Sequence, residues 1–262
     1  MNNTLIDNSE NLLLLNTLRN YFLLPDVSHV KIATGYWDLP GTKLIYNELK
    51  QFLENGGHLE LLIGQEPQLR SYQVRDDVSF DHSFPDFYIQ KDIDKLTYEY
   101  QDVASLLMEY CDLEDEENSQ VQIRVYGQDK DVKQFLHAKC YIFIKPGDCY
   151  GIIGSSNFTE KGLKDNAELN YLETQSSIVS AVPGPYNSQK GHICWFDEKW
   201  KDAVPWTGKF IKDILMQAPF VKPLIEKKKI ESENIPFSPY ELYIKLLQIK
   251  FGDIVDKSLG QQ

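Results

Sequence analysis

The sequence has few cysteines, and the four it has (Cys111, Cys140, Cys149 and Cys194) lie far apart with no Cys-x-x-Cys pair. That spacing supplies neither a disulfide framework nor a zinc site, so the thiols are expected to be reduced and mostly buried. No apolar run approaches the roughly 18 residues a membrane span needs, and no amphipathic stretch resembles a membrane-binding helix. The opening Met-Asn-Asn-Thr-Leu-Ile-Asp lacks the basic, then apolar, then small-residue order of a signal peptide. A cytoplasmic protein is the expectation. Glycine-rich phosphate loops are missing as well, so the chain is not expected to hydrolyse ATP. Cations are outnumbered: the 262 residues carry a net charge of −12, which argues against a general affinity for phosphate backbones. The imbalance is local, with ten acids against the single base Lys95 between Asp92 and Glu117.

What is present is enough apolar residue, 42%, to bury a proper core. Residues 9–23 read as an opening helix and 29–36 as a first strand. Thr42 to Asn55 has helical spacing and stops at Gly56-Gly57, and 59–63 is a second buried strand. Strand, helix, strand in that order is a βαβ unit. The expected fold class is therefore α/β, a mixed sheet flanked by helices. Residues 65–92 read as a long polar loop, with a helix after it over 93–110 and a solvated acidic turn over 113–118. Further strands follow at 121–126, 135–144, 149–155 and 168–174, with a short helix near 159–163. Lys145-Pro146-Gly147-Asp148 closes a hairpin between 135–144 and 149–155. A Pro-, Gly- and Ser-rich loop from Val182 marks a boundary, placing a first domain at 1–178 and a helical C-terminal extension at 186–262. Within the extension, helices are expected at 192–203, 210–217 and 239–251, with a lysine-rich piece near 222–229.

The chemistry concentrates in Leu136-His137-Ala138-Lys139, Gly154-Ser155-Ser156-Asn157-Phe158-Thr159 and Asn166-Ala167-Glu168. Residues i and i+2 of a strand share a face, so His137 and Lys139 are expected to point one way, as are Ser155 and Asn157 on the next strand. Asn166, Glu168 and Asn170 repeat the spacing on a third. Gly154 admits a close approach of ligand or backbone. This set suits phosphoryl transfer without metal or other cofactor. A neutral imidazole attacks phosphorus, an ammonium and an amide bind phosphate oxygens, and a carboxylate orients the imidazole. A second, protonated imidazole is required for the leaving oxygen, and the sequence offers no obvious one. His29-Val30-Lys31 repeats His-x-Lys without a following Gly-Ser-x-Asn and reads as chance. His58, His82 and His192 have no partners in the sequence pattern. Tyr36, Trp37 and Asp38 read as core or interface residues, and Lys227 to Lys229 as a solvated face.

His-x-Lys followed by Gly-Ser-x-Asn resembles the phospholipase D superfamily. The fuller string through Gly162-Leu163, Asn166 and Glu168 resembles its nuclease branch, which includes metal-independent restriction endonucleases and domains attached to helicases in bacterial defence systems. The resemblance is strongest over 135–175 and extends to Ile32–Ile63. It implies a two-step reaction in which His137 forms a covalent phosphohistidine, Lys139 and Asn157 serve the phosphate, Ser155 and Ser156 contact substrate, and Glu168 orients His137. The family's Asp falls at position 144, where Ile144 stands, as in other nuclease-branch members that lack it. With one motif copy, the resemblance implies a homodimer that shares two histidines. It also implies DNA as substrate, ahead of RNA, and a helicase or ATPase as a fused domain or partner. Two rival readings stay open. One is a catalytically degenerate module binding nucleic acid or a partner; the other is a lipid or small-phosphodiester enzyme.

Overall fold

The computed structural model describes residues 5–64, 100–112, 118–127, 135–186 and 188–211. The expected loop at 65–92, the acidic turn over 113–117, His82, Lys227 to Lys229 and every element expected beyond 211 lie outside the described residues. Two compact units divide the chain, Met1–Gln217 and Ala218–Gln262, and the described residues all belong to the first.

That unit is an eight-stranded mixed sheet in the order β1-β7-β6-β5-β2-β3-β4-β8. Its strands are β1 (Leu5–Ile6), β2 (His29–Thr34), β3 (His58–Gly64), β4 (Val121–Tyr126), β5 (Cys140–Lys145), β6 (Asp148–Gly154), β7 (Asn170–Glu173) and β8 (Val204–Pro205). β2, β3 and β4 run parallel, and every other pairing is antiparallel. The expected βαβ unit is here, β2 and β3 pairing in register from His29↔His58 to Thr34↔Ile63. Its helix is in two pieces, α2 (Leu39–Leu44) and α3 (Tyr46–Glu54), with the break at Ile45. α3 ends where its glycines require. Gly56 adopts φ of 82° and donates to Leu53 O, and Gly57 donates to Phe52 O, the paired reverse bonds of a Schellman cap.

Helices cover the sheet. α1 (Leu14–Phe22) brings Tyr21 and Phe22 against Phe143 of β5, with ring centroids 5.2 and 5.4 Å away. α4 (Gln101–Tyr110) buries Val103, Ala104, Leu106 and Leu107. α5 (Glu160–Lys164) is capped by Thr159 and α6 (Ser176–Val179) follows β7. α7 (His192–Lys201) packs on β4 and β5, its Phe196 joining a core with Cys140, Ile142, Cys149 and Val179. After it, β8 pairs with β4, and Thr207 of α8 (Thr207–Lys209) bonds to Ile123 N at 2.8 Å. The boundary expected between 178 and 186 thus falls inside this unit: burying the outer apolar surface of β4 takes the segment from His192 to Ile211. All four cysteines are free; Cys140 and Cys149 are buried, and Cys111 and Cys194 are half-buried.

Several strands are shorter than their sequence patterns. β5 begins at Cys140, and residues 135–139 lie outside the ladder where Gly64 meets them: a Cβ at Gly64 would strike Leu136 O. β2 stops at Thr34, whose hydroxyl turns back to Tyr36 O at 2.6 Å. Both departures open the same end of the sheet, the carboxyl ends of the parallel strands, where open α/β sheets place their sites.

At the opposite end, His29 and His58 stack across β2 and β3, with centroids 5.2 Å apart and planes 14° from parallel. Burial, then the neighbouring His58, lowers the His29 pKa. Burial also lowers that of His192, which sits on Gly151 with its Nδ1 unpartnered. Both imidazoles therefore bind protons less readily folded than unfolded. Their contribution is intact above the ordinary value of 6.5 and is lost as the pH falls through and below it. The melting temperature should drop between pH 7.5 and 5.5, with a flatter slope in His192→Gln; parallel slopes would remove His192 from the effect. Gly64→Ala should cost about 1–3 kcal/mol in denaturant unfolding, because the added methyl displaces the Leu136 carbonyl.

Candidate active site

Register decides which motif residues meet. Cys140 faces Ile153, and Gly154 N donates to Lys139 O at 3.2 Å, so Lys139 lies opposite Gly154. Gly154 is required by backbone crowding: a Cβ there would meet Asn170 Oδ1 and Leu169 O of the approaching β7. Past Gly154 the chain leaves the ladder, and consecutive residues part company. Ser155 turns to Glu168, Ser156 to Asn170 and Asn157 to the end of β2. The shared face expected for Ser155 and Asn157 does not form, because alternation holds only while the strand continues.

His137 is exposed at this sheet end, with Phe135 stacked obliquely at 5.6 Å. Lys139, two residues on, is buried, 5% exposed. Its ammonium donates to the carbonyl of His137 at 2.7 Å, tying the backbone that carries the imidazole to the cation beside it. Two ammonium N–H groups remain for an anion. Burial lowers the Lys139 pKa from its ordinary value, and the charge of Glu168 acts against that shift. Glu168 accepts a short hydrogen bond from Ser155 Oγ and one at 3.1 Å from Asn166 Nδ2. Its carboxylate therefore serves Ser155, Asn166 and, through space, the buried ammonium.

Asn157 closes the site from the other side. Its Oδ1 accepts from Tyr36 N at 3.1 Å and lies 3.4 Å from Thr34 Oγ1. A backbone N–H can only donate, so this fixes which end of the amide is the oxygen and leaves Nδ2 as the donor. Gly35 sits between the two halves: a Cβ there would lie 3.3 Å from Asn157 Oδ1 and 3.6 Å from His137 Cδ2. An imidazole, a buried ammonium and an amide donor are thus grouped around the end of β2. Such a set can supply a nucleophilic nitrogen and two donors suited to phosphate oxygens.

One expectation is corrected. Ser156, expected to touch substrate, is fully buried; its N–H and Oγ are both spent on the side chain of Asn170, and its carbonyl accepts from Tyr141 OH. It shapes the turn. Ser155 is exposed, but its hydroxyl donates to Glu168 and accepts from Leu169 N. The sequence reading also passed over Thr34 and Gly35. The signal was a small residue pair at a strand's carboxyl end, which has meaning only once β2 is known to adjoin β5. Asp38 proves structural, its carboxylate capping α2 through Gly41 N at 2.7 Å and α5 through Glu160 N at 3.0 Å. Ile144, at the motif's acidic position, lies at the far end of β5 opposite His29 and packs on the core. Asp148 is held there too, by Ser176, Tyr150 and Cys149 N, with its pKa lowered to about 2, chiefly by Ser176. Neither position adjoins His137. Among the described residues no three His, Cys, Asp or Glu side chains group as a metal cage, and no helix is long and apolar enough to cross a membrane.

A mixed sheet presenting His-x-Lys and Gly-Ser-x-Asn at one end defines a phosphodiester-handling domain of the phospholipase D type. Residues 27–184, more than half the chain, match the family described as "Cardiolipin synthase, PLD-like domain", and the chain belongs to this phospholipase-D-like family. Among solved structures, NucT from Helicobacter pylori is similar at 12% identity, covering 73% of this chain and 90% of that one, with a TM-score of 0.41. The phospholipase D family member Nuc from Salmonella typhimurium is similar at 11% identity, with coverage of 72% and 89% and a TM-score of 0.40. Phosphatidylserine synthase from Haemophilus influenzae Rd KW20 is similar at 16% identity, with coverage of 87% and 44% and a TM-score of 0.47. No curated protein matches the sequence.

Glu168→Gln should remove the field that supports the protonated Lys139, so the lysine's pKa falls further. The alkaline limb of the domain's pH–activity profile should move to lower pH, which a kcat/KM profile reads. An unmoved limb with a uniformly lower rate would reduce Glu168 to a structural partner of Ser155.

Proposed function

We propose that the chain is a metal-independent phosphodiesterase that cleaves DNA. The observation that carries this reading is the exposed His137, its carbonyl held by the buried Lys139 ammonium, with the amide of Asn157 across Gly35. In the first step an imidazole nitrogen of His137 bonds to phosphorus and the bond to the leaving oxygen breaks. The departing oxygen takes a proton from His137 of a second copy, which supplies the second imidazole the motif requires. In the next step that now neutral imidazole removes a proton from water, the hydroxide bonds to phosphorus, and the nitrogen–phosphorus bond breaks. Lys139 and Asn157 hold the non-bridging oxygens as charge develops on them. Glu168 is a positioning residue, acting through the Lys139 charge and the Ser155 turn. Two imidazoles around one phosphate titrate as a coupled pair, so the pH profile should be bell-shaped.

DNA is favoured over lipid by the motif's resemblance to the nuclease branch. The same resemblance favours a role in restriction or antiviral defence, with a helicase or ATPase as partner. Labelled single- and double-stranded DNA incubated in EDTA should be cut by the wild type and not by His137→Ala. Lys139→Ala should lose roughly 100-fold or more in rate, the scale expected when one transition-state donor is removed. Abolition of cleavage by EDTA would overturn the histidine mechanism. DNA binding without cleavage, in a wild type that self-associates, would favour the binding-module reading.

A further inference from the structure

The segment between β1 and α1 carries an asparagine whose backbone is held in the left-handed region. Asn8 has φ of 58°, a conformation that glycine adopts freely and that asparagine and aspartate tolerate better than other residues. Its side chain is saturated. Oδ1 accepts from Leu14 N at 2.9 Å and so caps the first turn of α1, whose own N-cap, Leu13, supplies no side-chain bond. That fixes the oxygen end of the amide. Nδ2 then spends its two N–H groups on two carbonyls, Gly162 O at 2.9 Å and Asn166 O at 3.2 Å, which lie 154 and 158 positions along the chain.

Both carbonyls belong to segments that build the site. Gly162 presses on the turn of Asn157, where a Cβ would collide with Asn157 O. Asn166 donates through its own Nδ2 to Glu168 Oε1 at 3.1 Å, and its N–H is anchored on Lys161 O at 2.8 Å. One amide thus grips the segment after Asn157 and the segment before Glu168. We propose that Asn8 is a positioning residue of this site, setting where the Glu168 carboxylate stands by holding the backbone of Asn166. The proposal deepens the reading of His137 and Lys139 as the reacting pair and rests on it. Its support is the order of contacts: Asn8 to the Asn166 carbonyl, the Asn166 amide to Glu168, and Glu168 to Ser155 and, through its charge, to the Lys139 ammonium. Capping α1 needs only a side-chain oxygen, which serine, threonine or aspartate supplies as well. The pair of donors is what asparagine adds, and both go to the site.

The test reads Lys139 directly, because Glu168 is the charge that acts on its ammonium. The full chain, isotopically labelled at lysine Cε, is titrated by NMR with Lys139→Arg identifying the resonance, and DNA cleavage is followed on the same preparations. Asn8→Gly keeps the left-handed backbone and removes the bonds to Leu14, Gly162 and Asn166. The Lys139 pKa should fall in Asn8→Gly, as in Glu168→Gln, because a displaced carboxylate supports the ammonium less. The double variant should fall no further than Glu168→Gln alone, the non-additivity of residues that act through one another. An unmoved Lys139 with only a lower melting temperature would reduce Asn8 to a cap of α1 and overturn the proposal; additive shifts in the double variant would overturn it too. If Asn8→Gly does not fold, Asn8→Asp decides, since it keeps an oxygen for Leu14 N and turns an acceptor toward the two carbonyls. The new charge by itself would raise the Lys139 pKa, so a fall supports the proposal and a rise or no change defeats it. A wild type that cuts no DNA, while Lys139 shifts as expected in Asn8→Gly, upholds Asn8 and overturns the nuclease reading. Cleavage by the wild type with Lys139 unmoved in Asn8→Gly does the reverse.

Discussion

The site depends on one buried cation. An ammonium removed from water is costly unless it keeps hydrogen bonds and an opposite charge within reach. Lys139 meets that demand with the carbonyl of His137 and the field of Glu168. The consequences run outward from it. The carbonyl bond fixes the backbone that presents the imidazole, the carboxylate that offsets the charge is itself held by Ser155 and Asn166, and Ser155 is placed by Leu169 at the start of β7. The exposed imidazole, the buried ammonium and a strand later in the chain are thereby one connected network.

The other half of the site is built by closeness of backbone. Gly64 yields to the Leu136 carbonyl, Gly154 to Asn170 and Gly162 to the Asn157 carbonyl, each where a methyl group would collide with main chain or a buried amide. Asp38, Thr34 and Asn157 then stitch the end of β2 to the turn before α5, with Phe158 N donating to Thr34 Oγ1 at 2.9 Å. Residues more than a hundred positions apart in sequence are held to hydrogen-bond precision. Asn157 spends its oxygen and keeps its nitrogen.

Much of this was legible in the sequence. The βαβ opening, the Lys145–Asp148 hairpin and the stop at Gly56-Gly57 follow from local rules, because period, turn residues and left-handed glycine are properties of a few adjacent residues. The nomination of His137, Lys139, Asn157 and Glu168 came from residue type and spacing together. Strand alternation carried past the end of a strand failed for Ser155 and Asn157, because β6 ends at Gly154 under pressure from β7, and burial takes Ser156 away from the substrate contact the resemblance implied.

By itself the sequence determined the kit: which chemical groups are present, in what order, and which segments extend or coil. Those follow from short-range sterics and from solvation of individual side chains. The tertiary structure decided the assignments. It brought Thr34 and Gly35 to Asn157, turned Ser156 inward and set Asp38 to capping helices. Strand order and register set which distant residues share a few ångströms, and those depend on how the whole sheet buries its apolar faces rather than on any local pattern.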